Sequence, residues 1–245
     1  MSTALRLSEL MNYLKKNQPV STKQLLEFYR AFEPDLKANT LRWRIYHLKQ
    51  ANVIYTPKRG LYALQEKKAF LPEPTEKMKK LAQQIQEKYP YVNFSVYPTE
   101  WLANFTGHMY QSNNIILEVD VDALESVFHF VKERYTNVYL SPDREVYNLY
   151  ISPREENIIV NRLYVDAPLN RIQGNYHLPK LEKLLVDLIV NEPIILPIGL
   201  SESKTVITNI LGKYNINYST LLRYAKKRHI EKKLASFGLK ESEML

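Results

Sequence analysis

The stretch that most limits how this chain can fold is Ala38 to Leu64, ANTLRWRIYHLKQANVIYTPKRGLYAL. Leu41, Ile45 and Leu48 recur at helical spacing and at about 100° per residue fall on one narrow face. Asn39, Arg42, Trp43, Tyr46 and His47 spread over the opposite one, which predicts a helix with a dry side and a basic, aromatic wet side. Val53 to Tyr55 and Leu61 to Leu64 then read as two short strands, because β-branched and aromatic residues flank Pro57-Lys58-Arg59-Gly60, whose Gly can adopt the left-handed backbone of a hairpin turn. A helix followed at once by a basic-tipped hairpin is the pattern of a winged helix-turn-helix. In such a unit the helix fills a DNA major groove and the hairpin tip meets phosphates beside it.

The residues upstream agree with this order. Leu7, Leu10, Met11 and Leu14 give an apolar stripe over Thr3 to Asn17, and Ser21 with Gln24 forms a capping box that opens a second helix ending before Pro34. Asn52 stands where the chain leaves the third helix for the hairpin, a place where Gly is usual and Asn the next most tolerant residue. Charge follows the same division. Residues 1–68 hold 13 Lys/Arg against 5 Asp/Glu, residues 69–212 hold 13 against 18, and residues 213–245 hold 8 against 3, so the first segment alone has the +8 excess of the whole chain. A basic module on a mildly acidic body is expected of a nucleic-acid binder, since phosphate neutralisation is the sequence-independent part of affinity.

The expected organisation is a winged helix over residues 1–68, a linker over 69–75 within the polar, Pro-containing QEKKAFLPEPT, and an α/β unit over 76–245. In that unit Glu76 to Tyr89 reads as an amphipathic helix. Val92 to Tyr97, Asn114 to Val119, Asn137 to Leu140, Val146 to Ile151 and Asn157 to Val165 read as strands, and Asp122 to Tyr135 as a helix with an acidic start. Leu178 to Val190, Thr205 to Tyr214 and Ser219 to Leu234 read as helices. Strands separated partly by helices and partly by short turns predict a mixed sheet covered on at least one face, an α/β (α+β) class overall.

The absence of Cys removes thiolate metal sites, disulfides and Cys nucleophiles, and suits a reducing compartment. The charged, amphipathic start MSTALRLSELMNYLKK reads as neither a signal peptide nor a membrane span, and a cytoplasmic protein is expected. The five histidines are scattered, no phosphate-binding or nucleophile-elbow motif occurs, and 6 Gly are few for a phosphate cradle. No catalytic residue, cofactor or metal site is therefore assigned. Two acidic patterns have structural roles as their alternatives. Asp120-Val121-Asp122 has the D-x-D spacing of nucleotidyltransferase metal ligands, but Asn104-Phe105-Thr106-Gly107 is a poor substitute for the Gly-Ser turn such enzymes need. A nuclease would combine Asp143 with Glu155 or Glu156, yet the Lys expected two residues beyond is missing. The terminal run from Leu221 to His229 predicts a helix with a basic face, on which Arg223, Lys226, Lys227, together with Lys233 beyond it, offer a second surface for nucleic acid, an acidic partner or solvent.

Three stretches, TLRWRIYHLKQANVI with RGLYAL, LPKLEKLLVDLIV and INYSTLLRYAKKR, resemble the AbiEi family of antitoxins from type IV abortive-infection toxin-antitoxin pairs. The resemblance implies a winged helix that binds inverted repeats in its own promoter and represses the operon. It also implies a larger C-terminal domain that counters a nucleotidyltransferase-type toxin without a stable complex between the two. On the winged-helix side Arg42 is the candidate for a bidentate guanine contact and Asn39 for adenine, with Trp43, Tyr46 and His47 facing the groove, Arg44 and Lys49 flanking them, and Lys58 and Arg59 on phosphates. Trp43 has packing against the rest of the protein as its alternative. Two other readings compete: a metal-dependent nuclease or nucleotidyltransferase with Asp120, Asp122 and Asp143 as ligands, and a winged helix that docks protein instead of DNA.

Overall fold

The computed structural model describes residues 5–51, 53–65, 67–106, 113–154, 156–173, 176–190, 199–237 and 239, with Asn113, Gln173, Gly199 and Leu200 described by backbone alone. Asn52, Gly107, His108 and Glu155, which entered the sequence reading, lie outside them.

The chain begins with α1 (Leu7–Asn17), β1 (Val20–Ser21), α2 (Thr22–Arg30), α3 (Ala38–Gln50) and a hairpin of β2 (Ile54–Tyr55) and β3 (Leu61–Leu64). The capping box forms as the sequence requires: Gln24 N donates to Ser21 Oγ at 3.2 Å, and Ser21 N donates to Gln24 Oε1 at 2.8 Å. β3 is central, pairing antiparallel with β1 on one side and β2 on the other. Leu10, Leu14, Leu25, Tyr29, Leu41, Ile45, Leu48 and Ile54 make one apolar core for this unit. Gly60 takes a φ of +81° at the hairpin tip, the left-handed backbone expected of it.

The body follows as α4 (Glu76–Lys88), β4 (Phe94–Pro98), α5 (Glu100–Ala103), β5 (Asn113–Val119), α6 (Leu124–Lys132), β6 (Val138–Leu140), α7 (Arg144–Val146), β7 (Glu156–Arg162), β8 (Leu169–Gln173), β9 (Tyr176–Pro179), α8 (Leu181–Val190), α9 (Gly199–Lys213), α10 (Tyr218–Lys227) and α11 (Glu231–Leu234). Its strands form one mixed sheet in the order β6-β7-β5-β4-β9-β8. β6, β7 and β5 are mutually parallel, and β4 runs antiparallel to β5. Strand alternation sends Ile115, Leu117 and Val119 to a core with Met78, Leu81 and Ile85 of α4 and Val127 and Val131 of α6. Ile116 and Ile159 face the opposite core with Leu184, Leu185 and Leu188 of α8, Val206 and Ile210 of α9, and Leu221 and Tyr224 of α10. Both faces are thus covered, giving a three-layer body.

Several expectations change. Val146 to Ile151 is not a strand: Asp143 Oδ1 accepts from Val146 N at 2.8 Å and starts α7, which continues into a π turn over Tyr147–Ile151. Tyr147 and Ile151, four apart, are both buried, so the helical period prevails over the alternation. The helix expected from Leu178 starts at Leu181, because Tyr176–Pro179 pairs as β9 with β8, a strand pair the sequence reading did not separate. The helix expected over Ser219 to Leu234 is broken after α10, where His229 has a φ of +56°, and Lys233 falls on the separate α11. No helix among the described residues is long and apolar enough to cross a membrane.

The segment read as a linker has no regular element but is packed. Lys68 N donates to Lys213 O at 3.1 Å, Asn215 N donates to Lys68 O at 3.3 Å, and Phe70 meets Trp101 and Tyr214 edge-on. The hairpin tip is also held by the body: Tyr218 N donates to Pro57 O at 2.9 Å and Arg59 N to Ser219 Oγ at 2.8 Å.

Candidate functional site

The wet face of α3 is open. Asn39, Arg42, Trp43 and Tyr46 are exposed and His47 is half-buried, with Trp43 at 45% and Tyr46 at 58% of full exposure although both are large aromatics. These rings are ordered against each other, His47 lying 4.1 Å from Trp43 and 5.3 Å from Tyr46 between ring centroids. Arg42 Nη1 donates to Asn39 Oδ1 at 3.3 Å, one turn earlier on the same face. Trp43 therefore presents a surface; packing into the protein, its alternative, does not account for that exposure.

Arg44 is placed differently from its sequence reading. It stands three residues after Leu41 and four before Leu48, and this puts it on the dry face, only 4% exposed. Its Nη2 donates to both Glu33 oxygens at 2.9 and 2.7 Å, and its guanidinium lies over the Tyr29 ring at 4.6 Å. A cation so enclosed ties the end of α2 to α3 and is withdrawn from any groove. Lys49 is exposed but lines a cleft of about 320 Å³ between the hairpin and the body, whose other walls include Tyr55, Lys180, Glu182 and Asn217.

At the hairpin tip Lys58 and Arg59 are exposed while the backbone between them and Pro57 is fixed on α10. Ser219, which accepts from Arg59 N, is one helical turn before Arg223. Arg223, Lys226 and Lys227 are all exposed, so the basic face of α10 starts beside the hairpin tip. Lys227 pairs with Asp166 at 3.4 Å across an exposed gap, a contact worth little in water. Lys233 is exposed on α11, outside that face.

The acids of the enzyme reading do not converge. Asp120 Oδ2 accepts from Asn93 N at 3.1 Å and Asn93 Nδ2 at 3.0 Å, and Asp143 caps α7. Among the described residues no group of three or more His, Asp or Glu is arranged to hold a metal.

The body instead encloses charges that the sequence reading left unassigned. Lys183 of α8 is fully buried, with Nζ 2.5 Å from both Glu118 Oε2 of β5 and Asp187 Oδ2 one turn on. Arg228 Nη1 donates to Asp187 Oδ1 and to the Tyr224 hydroxyl, which itself donates to Asp187 Oδ1 at 3.2 Å. Desolvation pushes the Glu118 carboxyl up to about 7, against the pull of Lys183. Desolvation also opposes the charge on Lys183, but Asp187 and Glu118 outweigh it and hold its pKa well above the lysine range. The signals were present: Lys183 and Asp187 at i, i+4 in the otherwise apolar LEKLLVDLIV, and Glu118 in IILEV.

Glu118 gives stability a pH dependence whose sign can be fixed. Its folded pKa of about 7 exceeds its ordinary value of 4.5, so between those values the folded state holds a proton that the unfolded state has lost. Its contribution is complete below 4.5 and is lost as pH rises toward 7, with a limiting slope of about 1.4 kcal/mol per pH unit. Urea denaturation at pH 5, 6, 7 and 8 is expected to show a flatter profile for Glu118→Gln than for the native protein. Parallel profiles would assign the proton to another group.

These features define a small helix and hairpin unit, with an exposed basic and aromatic helix face, docked on a three-layer α/β body that encloses an ion network. The chain belongs to the DUF6577 family, a family of unknown function whose model matches residues 40–243. The match takes in nearly all of α3, the hairpin and the body, and leaves α1 and α2 outside. No curated protein matches the chain.

Proposed function

We propose that this protein is a winged-helix DNA-binding regulator that represses its own operon from inverted repeats, acting by binding and without turnover. The observation that carries the reading is the outward face of α3, where Asn39, Arg42, Trp43 and Tyr46 are exposed beside a half-buried His47; the sheet order β1-β3-β2 supports a winged-helix reading of the unit. A recognition helix needs a solvated face able to enter a groove about 12 Å wide, and α3 has one. Lys58 and Arg59 supply phosphate contacts, and Arg223, Lys226 and Lys227 extend the positive surface from the hairpin tip along α10. Lys49 meets a flanking phosphate from its place at the cleft mouth. Arg44 has no part in this interface.

The AbiEi resemblance adds the operon's character. In that reading the protein is a cytoplasmic antitoxin of an abortive-infection pair, and the body opposes a nucleotidyltransferase-type toxin without a lasting complex. The three-layer body is compatible with a separate task of this kind, and the likeness of LPKLEKLLVDLIV and INYSTLLRYAKKR supports it.

Selection of bound duplexes from a random pool, followed by anisotropy titration at several salt concentrations, tests the reading. A recurring inverted-repeat sequence and a steep fall of affinity with salt are expected. Lys58→Ala is expected to weaken all duplexes alike and to make the logarithmic salt slope shallower by about 1. If no salt-dependent duplex affinity exists, the α3 face docks protein and the repressor reading is wrong.

A further inference from the structure

A second place in the molecule has the form of a ligand site. β6, β7 and β5 lie side by side and run in the same direction, with Leu140 opposite Val160, and Glu118 opposite Asn161. Their carboxyl ends open on a cavity of about 210 Å³ lined by Glu118, Ser141, Asn161, Arg162, Tyr164 and Arg228, with Pro142 beside them. Parallel strands in α/β sheets present their ligands at that end, because the connections leave a crevice there. We propose that this cavity binds a small phosphate-bearing anion.

The charges at the cavity favour an anion. Among the described residues Glu118 is the only acid in its lining, and Lys183 lies against its carboxylate. Arg228 is fixed through Nη1 on Asp187 and Tyr224, and its guanidinium lies 3.9 Å from the centre of the Tyr164 ring. Arg162 is exposed at the end of β7 and lies 4.7 Å from the same ring; among the described residues it has no carboxylate partner. Both guanidiniums lie against the Tyr164 ring and line the cavity, and an anion held there offsets their positive charge while accepting from their forked donors. The Ser141 hydroxyl and the Asn161 amide add neutral donors. Ser141 has a φ of +40°, a backbone state uncommon for Ser that recurs at ligand clamps.

Size narrows the ligand. A volume of about 210 Å³ is that of roughly seven waters at ~30 Å³ each and lies below the usual range for drug-sized ligands. Inorganic phosphate or the head of a small phosphomonoester fits this volume. The site is separate from the α3 face and does not depend on its role.

Isothermal titration of the full chain with sodium phosphate and with glycerol phosphate, against sodium chloride at equal ionic strength, tests the proposal. Thermal unfolding is followed in parallel. Saturable binding of either phosphate is expected, with a rise in Tm that chloride does not give. Tighter binding of the ester would identify a phosphomonoester as the ligand class, and tighter binding of phosphate the free anion. Arg162→Gln changes an exposed side chain and leaves the core intact; it is expected to weaken binding at least tenfold, whereas Lys88→Ala, on the opposite layer, leaves it unchanged. Phosphate that stabilises no more than chloride, or binds the Arg162→Gln variant as tightly as the native protein, overturns the assignment.

Discussion

Lys183→Met is expected to destabilise the protein by about 3–5 kcal/mol, the usual loss when one partner of a buried ion pair is removed. The ammonium it replaces lies 2.5 Å from two carboxylates, and both Asp187 and Glu118 remain enclosed when it is gone. Arg228 still neutralises Asp187, so the residual burden falls on Glu118, which can relieve part of it by taking up a proton. Against a total stability of ordinarily 5–15 kcal/mol, a loss of this size leaves a marginal fold. Urea denaturation measures it as a lower midpoint at unchanged slope. At pH values high enough to keep Glu118 ionised, adding Glu118→Gln should restore part of the loss, because the second change removes the charge that the first left alone, and the double-mutant cycle reports the coupling. A loss below about 1 kcal/mol for Lys183→Met would mean that the network tolerates an unmatched carboxylate, contrary to the burial argument.

The second large effect belongs to the helix face. Arg42→Ala is expected to weaken binding to the selected duplex by about 1–3 kcal/mol, roughly five- to 150-fold, and to relax the preference at one base position. Its guanidinium is solvated and oriented by Asn39, and no buried group loses a partner when it is cut back, so the melting temperature should hold. Anisotropy titration on the selected site and on a scrambled duplex separates base reading from phosphate attraction. An equal loss on both duplexes would show that Arg42 supplies charge and reads no base.

The N-terminal unit was legible because local rules decide it. Ser21 and Gln24 fix where α2 starts, Leu41, Ile45 and Leu48 fix which side of α3 is dry, and Gly60 fixes the hairpin tip. Arg44 was misplaced because a cation between two core positions reads as solvated unless its partner is known. Glu33 is eleven residues away, across a turn whose course the sequence does not reveal. In the body the misreadings follow from short elements whose periods overlap. Val146 to Ile151 alternates well enough for a strand, but the Asp143 cap and the four-residue spacing of Tyr147 and Ile151 make it helical. The cavity at the strand ends was not visible at all, since Glu118, Ser141, Arg162 and Arg228 meet only once three parallel strands and the end of α10 are assembled. Lys183 and Asp187 lie in LEKLLVDLIV, a stretch that carries the family likeness, and the sequence reading did not pair them.

The grip of α10 on the hairpin tip sets an order of events during synthesis. Arg59 leaves the ribosome 160 residues ahead of Ser219, the side chain that will hold it. At about 5–20 residues per second that delay is roughly 8–32 s, long enough for the first unit to close its own core around Leu10, Tyr29 and Leu48. A nascent chain therefore passes through a stage in which the helix face exists while the tip is still untethered. The final geometry of Lys58 and Arg59 is acquired only once Ser219 has emerged and α10 has formed.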